Sequence, residues 1–290
     1  PAGLPARTVA ERVARHLTAP PEGTPTPATS TPEDPPAPEN LPHPAIERLD
    51  IAGPGFLNIT LAATAHADLV RVVRAAGARY GHGDVLAAAP LVPPAPSGDD
   101  PRSAAVVRVL RACGAPVGPC AAAVRHPAYA TLGADAANWA LVRPPAGDPP
   151  DLAPATHLPQ RTANPLFRIR YAHARTRALT RNAADLGFAA GEFTPAAADE
   201  PAQAALLGAI GDYPRVVESA ARHRAPDRVA RALEGVADAF LDYHDSVALL
   251  PSGDGKPSAA HRSRLALADA AGTVLAGGLS LLGISAPAHL

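Results

Sequence analysis

The chain has 290 residues, of which 47% are hydrophobic and 18% charged, with a formal net charge of −1. That suffices for the core of one large domain or two ordinary ones, and the near-neutral balance excludes a global electrostatic attraction to nucleic acid; any such attraction must come from local clusters. Aromatics at 4% make the core aliphatic, and 35 prolines, many in runs, predict irregular segments between folded pieces. No run of ~18 apolar residues is visible, so no membrane span is expected. No basic-then-apolar leader opens the sequence, which contains no methionine, and a cytoplasmic location is expected. Cys113 and Cys120 have neither zinc-site nor Cys-x-x-Cys spacing and read as free thiols. The Ala, Arg, Gly and Pro bias, with Lys256 the only lysine, marks codon pressure from a GC-rich genome. Each individual Ala or Arg therefore carries less information than usual.

Between Pro5 and Thr18, the apolar Val9, Val13 and Leu17 recur every fourth residue among Arg and Glu, which predicts a short amphipathic helix. Residues 19–44 are largely Pro, Thr, Glu and Ala and predict a flexible insertion. Ile46–Ile51 and Phe56–Leu61 alternate on either side of a Gly-Pro-Gly break and predict two strands around a turn. Thr64 is the expected N-cap of a helix running to Arg79, with Leu69, Val70 and Val73 facing inward. Residues 1–84 thus predict a small α/β unit.

A second Pro-rich linker spans Pro90 to Pro101. Ala104–Cys113 and Asp135–Val142 are helical by pattern, the second holding Trp139, the only tryptophan, and Pro144–Pro159 is a breaker-dense loop. Asn164–Leu186 then predicts a long Arg-rich helix, followed by helices at Gln203–Ile210, Pro214–His223, Asp227–Leu249 and Ala259–Leu282. Pro214 and Pro226 are expected at helix starts, where a missing N–H costs nothing. The fold class is α+β: a small α/β amino-terminal domain (1–84), a degenerate linker region (85–160) and an all-α helical bundle (161–290).

Chemistry concentrates in the long helix. Tyr171, Arg175 and Leu179 fall four apart on one side, and His173 and Arg177 four apart on another. Between Arg161 and Arg231 the sequence holds eleven arginines against seven acids. That is a local excess of a side chain whose planar fork binds phosphate bidentately. The competing reading is a bundle helix whose Tyr and His are satisfied in a core and whose arginines are solvated. The histidines show no ligand spacing, so no metal is expected, and the serines lack a Gly-x-Ser-x-Gly context.

Tyr171-Ala-His-Ala-Arg175 resembles the signature helix that opens the helical, DALR-type anticodon-binding domain of arginyl-tRNA synthetases. Other motifs follow in that family's order. Leu132-Gly-Ala-Asp-Ala-Ala-Asn-Trp is similar to the segment that closes the catalytic domain. Leu206-Leu-Gly-Ala-Ile-Gly-Asp-Tyr-Pro-Arg, Ala239-Phe-Leu-Asp-Tyr-His and Val274-Leu-Ala-Gly-Gly-Leu resemble the bundle to its carboxyl end. Ile51-Ala-Gly-Pro-Gly-Phe-Leu-Asn-Ile resembles the strand turn of the family's amino-terminal domain. The resemblance covers roughly residues 1–84 and 130–290. It departs from the family at the nucleotide site: there is no His-x-Gly-His motif, and Lys256 lies outside any lysine-rich loop. Roughly 50 residues separate Gly81 from Leu132, too few for several βαβ units of ~30 residues each.

The resemblance implies two RNA contacts. Phe56 and Asn58, two apart on one strand face, correspond to the aromatic and amide that meet a base at the tRNA elbow; the alternative is a core Phe56 and a turn Asn58. Tyr171, His173, Arg175, Arg177, Tyr243, Arg262 and Arg264 correspond to the anticodon stem-loop side. There Arg175 and Arg177 are expected on phosphate and Tyr243 on an unpaired base, with core packing the alternative for Tyr171 and Tyr243 and a solvated helix end for Arg262 and Arg264. His289-Leu290 stand where the synthetases often end in methionine. The function so implied is noncatalytic binding of tRNA, arginine-accepting by family, without cofactor, metal, DNA or membrane. A helical protein-interaction module that has lost RNA binding, or an accessory subunit of a separate catalytic chain, are the alternatives.

Overall fold

A computed structural model describes residues 4–18, 46–90, 100–118, 126–196 and 200–290. The Pro/Thr/Glu/Ala insertion, most of the second Pro-rich linker and Cys120 lie outside the described residues. By contacts the chain divides into two compact units, residues 1–68 and 69–290.

In the first unit, helix α1 (Ala6–Thr18) packs on a two-stranded antiparallel sheet of β1 (Ile46–Ala52) and β2 (Phe56–Leu61). The register pairs Ala52 with Phe56 and Asp50 with Asn58, as the Gly-Pro-Gly break requires. Gly55 has φ of 141°, and a Cβ there would strike the Ala6 backbone, so only glycine lets the turn and α1 approach so closely. Helix α2 (Ala63–Ala76) follows, continued by a 3₁₀ turn at Gly77–Arg79. Thr64 lies inside the helix rather than at its cap, while Val70 and Val73 are buried as the spacing predicts.

The second unit is helical. Asp100 caps α3 (Pro101–Ala112) by accepting the Ser103 N–H at 2.9 Å. Helix α4 (Ala128–Val142) is broken at Gly133 (φ 74°, ψ 169°), so the predicted Asp135–Val142 helix is its second arm. After the short α5 (Pro154–His157), the side chain of Asn164 opens α6 (Pro165–Asp185). It accepts from the Leu166 and Phe167 N–H groups and donates to the carbonyls of His157 and Pro159. The helices α3 and α4, which the sequence places in a degenerate linker, contribute Val109, Leu110 and Trp139 to the same core as the bundle.

Two predicted helices merge. Residues Glu200–His223 form one helix, α7, with Pro214 inside it rather than at a start. Helix α8 (Asp227–Ser246) begins after Pro226 as expected. Helix α9 (Ala259–Leu282) has the predicted ends. At the first, the Ser258 hydroxyl accepts the His261 N–H and the His261 ring accepts the Ser258 N–H; at the second, Gly283 adopts the left-handed conformation. Helix α9 packs against α3, α4, α6, α7 and α8. By length and composition alone it is long and apolar enough to cross a membrane. An 18-residue window within its 24 residues reaches a mean hydropathy of 1.7, and most of that window is buried in the bundle. The Gly272 and Gly278 positions allow this. A Cβ at the first would collide with Thr176 on α6, and at the second with Leu233 on α8.

Candidate RNA-binding surface

Helix α6 turns Leu166, Ile169, Ala172, His173, Thr176, Leu179 and Ala183 into the core, a three- and four-residue spacing. Leu179 therefore leaves the row it was expected to share with Tyr171 and Arg175. Tyr171 is 40% exposed, and its ring stacks on Phe167 with centroids 5.9 Å apart and planes inclined by 22°. Beside this pair is a pocket of about 280 Å³, lined among others by Gln160, Asn164, Phe167, Arg170 and Leu290. Arg170 reaches Ser285 and lies 3.6 Å from Asp135, and its Nε has no hydrogen-bond partner. The surface therefore offers aromatic faces for stacking, an exposed amide at Gln160 and a guanidinium. Sequence reasoning missed Phe167, Gln160 and Arg170; Phe167, four residues before Tyr171, was the available signal.

His173 is buried, and its Nδ1–H donates to the Pro287 carbonyl at 3.0 Å. Burial holds its pKa below the ordinary histidine value; the Pro287 bond opposes this and Arg177 adds to it. It clamps the carboxyl-terminal segment onto α6 and is not a surface contact. Tyr243 is 0% exposed and cannot stack on a base; it belongs to the core, packed there by the inward face of α8.

The expected phosphate ligands are already engaged. Arg175 Nη2 lies 2.9 Å from His244 Nε2, and His244 Nδ1 lies 2.9 Å from Asp245 Oδ1, so the ring links the two side chains. Arg177 and Arg74 share the carboxylate of Asp269 on α9, at 2.5 and 3.1 Å. Arg168 donates to Asp238 on α8 at 3.2 Å, and Arg143 to Glu234 at 3.0 Å. Burial raises the Asp238 pKa; Arg168 lowers it, while Asp242 and Glu234 raise it further, as expected for a carboxylate in an acidic row on α8. Of the five arginines of α6, Arg168 and Arg177 are thus matched by acids of α8 and α9 and Arg170 by Asp135 of α4, while Arg175 bonds to His244 and Arg181 to the Ala288 carbonyl and His289.

Arg262 lies 5.6 Å from the Phe188 ring centroid, beyond the carboxyl end of α6, and Arg264 donates to the Ala248 carbonyl at 3.1 Å. From Tyr171 to Asp185 is about 21 Å of helix at 1.5 Å per residue. The structure therefore does not bring Arg262 and Arg264 to the Tyr171 surface. Phe56 (68% exposed) and Asn58 are both open on β2, in the first unit. Among the described residues no cluster of His, Cys, Asp and Glu could hold a metal ion. Cys113 is free and buried, and burial raises its thiol pKa.

Residues 169–290 match the DALR anticodon binding domain. The chain is 42% identical over 159 residues to the arginine–tRNA ligase of Clavibacter sepedonicus, and 41% identical over 159 residues to that of Paenarthrobacter aurescens. Each match covers 55% of this chain and 29% of the relative. The arginyl-tRNA synthetase of Thermus thermophilus is similar with a TM-score of 0.43 at 23% identity, over 69% of this chain and 34% of that one. Residues 169–290 are thus similar to the DALR anticodon binding domain, and the chain, which spans less than a third of their length, is similar to arginine–tRNA ligases.

Proposed function

We propose that this chain binds tRNA without aminoacylating it, and that the Phe167–Tyr171 pair, through its exposed Tyr171 ring, is where an unpaired anticodon-loop base stacks. The observation that carries the reading is that pair: an exposed Tyr171 ring stacked on a half-buried Phe167, beside a pocket with Gln160 and Arg170, within and just before the DALR match. Single-stranded loops are recognised by stacking on aromatics and guanidinium planes and by amides on base edges. The relatives' activity suggests an arginine-accepting tRNA in the cytoplasm. The exposed Phe56 and Asn58 supply a second contact at the tRNA elbow. The noncatalytic part rests on the roughly 50 residues between Gly81 and Leu132 and on the absence there of a nucleotide motif.

The pairing of Arg168, Arg175 and Arg177 with Asp238, His244 and Asp269 favours a second reading, a protein-interaction module that has lost RNA binding. Filter binding of the full chain to whole tRNA and to an isolated anticodon stem-loop decides between them. Salt-dependent binding that Phe167→Ala and Tyr171→Ala weaken supports tRNA. No RNA binding by the unaltered chain leaves the protein partner.

A further inference from the structure

Three of the five α6 arginines are paired with neighbouring acids, and a further cluster of positive charge lies elsewhere in the bundle. Between α7 and α8 lies a cleft of about 410 Å³ lined by Arg215, Val216, Ser219, Arg228, Arg231 and Ala232. Three of its four polar side chains are guanidinium groups, the fourth is a hydroxyl, and among the described residues no carboxylate lines it. The nearby acids are engaged. Asp227 is buried and bridges Arg102 and Arg231 at 2.7 and 2.5 Å, and Asp212 pairs with Arg215 at 3.1 Å on α7. Four guanidinium groups therefore meet two carboxylates, and among the described residues Arg228 is bonded to no carboxylate. Its Nη1 donates instead to the Ser219 hydroxyl. That bond leaves the hydroxyl hydrogen free to point onward, so Ser219 can donate to the same anion that the arginines attract.

We propose that this α7–α8 cleft binds backbone phosphates of the RNA held at α6, as a sequence-independent contact. The proposal rests on the tRNA reading above. Planar guanidinium forks match phosphate oxygens, and a hydroxyl beside them completes a donor set. Reach is adequate. Arg228 lies 16 residues from His244, the partner of Arg175, or about 24 Å along α8. A nucleic-acid duplex presents a phosphate about every 1.7 Å of axis, so a stem lying along α8 has phosphates at both ends of that span.

The test is a salt series of filter binding to whole tRNA with the full chain carrying Arg215→Gln and Arg228→Gln, checked for an unchanged thermal transition. Arg231 is left in place because it pairs with buried Asp227. The expected result is weaker binding and a log–log salt slope shallower by about 1 to 2, near 0.9 for each lost phosphate contact. If the double variant fails to fold, the exposed Arg215→Gln alone should flatten the slope by about 1. An unchanged slope, in a preparation where Tyr171→Ala still weakens binding, overturns the cleft and leaves the tRNA reading standing. Absence of salt-dependent binding by the unaltered chain overturns both. A thermal shift with inorganic phosphate that the variant loses, alongside an unchanged RNA slope, identifies a free-anion site and overturns the RNA assignment.

Discussion

Tyr80 and Pro214 are coupled through one carbonyl oxygen. Pro214 lies inside α7 and has no N–H, so the Ile210 carbonyl, four residues earlier, lacks its helical donor. Tyr80 supplies one: its hydroxyl donates to Ile210 O at 3.1 Å, and its ring stacks on Tyr213 with centroids 6.1 Å apart. Burial pushes the Tyr80 phenol pKa up to about 12, which keeps the hydroxyl a donor at ordinary pH.

Removing that donor should expose the coupling. Tyr80→Phe leaves a buried acceptor unsatisfied and should cost about 1–3 kcal/mol. Pro214→Ala restores the amide, so in its background Tyr80→Phe should cost markedly less. A double-mutant cycle by urea denaturation measures the difference. Additive costs would show that the hydroxyl does not replace the missing amide.

This pair also marks where the sequence was legible and where it was not. The spans of α6 and α9 lie within a residue of those expected, and in the structure local groups set their starts, Asn164 and Ser258 capping the first turns. The merger of Gln203–Ile210 with Pro214–His223 could not be read, because the donor that makes an interior proline tolerable comes from a residue 130 positions away. The same limit applied at the candidate site. Arg175 and Arg177 were visible as a cluster, but their partners His244 and Asp269 lie on other helices, and only tertiary packing reveals that both side chains are engaged. Tyr243 was ambiguous for the same reason, since the side of α8 that faces inward is decided by α9 and α7.

Stability should depend on pH through His173. Its folded pKa lies below the unfolded value near 6.5, because burial disfavours the charged ring. Below that value the unfolded chain binds the proton more readily. The stabilisation is therefore present in full above pH ~6.5 and is lost as pH falls toward the folded pKa. The melting temperature should fall between pH 7 and pH 5. His173→Gln, which keeps a donor for the Pro287 carbonyl, should reduce that fall. His82, also shifted downward by burial and Arg79, contributes with the same sign but is exposed. An identical pH profile in the variant would show that His173 does not report the transition.

Close helix approach at Gly272 predicts a second stability effect. A Cβ there meets Thr176 and the Arg177 guanidinium, so Gly272→Ala must separate α6 from α9 or displace Thr176. Overpacking of this kind costs about 1–3 kcal/mol. Gly208, on α7 with nothing near its Cβ, is the control. Gly208→Ala should be neutral or stabilising by up to about 1 kcal/mol, as expected for glycine in a helix. Equal effects at both positions in thermal denaturation would contradict the packing account.

The arginines and aromatics of α6 should separate in RNA binding. Arg177 is committed to Asp269, which Arg74 shares, so Arg177→Ala should lower the melting temperature and change the salt slope of tRNA binding little. Phe167→Ala and Tyr171→Ala remove no buried charge pair and expose no core. They should leave folding nearly intact and weaken binding by the worth of one stacked base, about 1–3 kcal/mol, or roughly fivefold to a hundredfold in Kd. Because neither ring carries charge, the salt slope should not move. The isolated anticodon stem-loop should feel the loss as strongly as whole tRNA, since both present the loop. Asn58→Ala should instead weaken whole tRNA alone, because the stem-loop has no elbow. Loss of stem-loop binding on Arg177→Ala at unchanged stability would return phosphate contact to that residue. Unchanged binding after loss of both rings would remove α6 from the RNA surface.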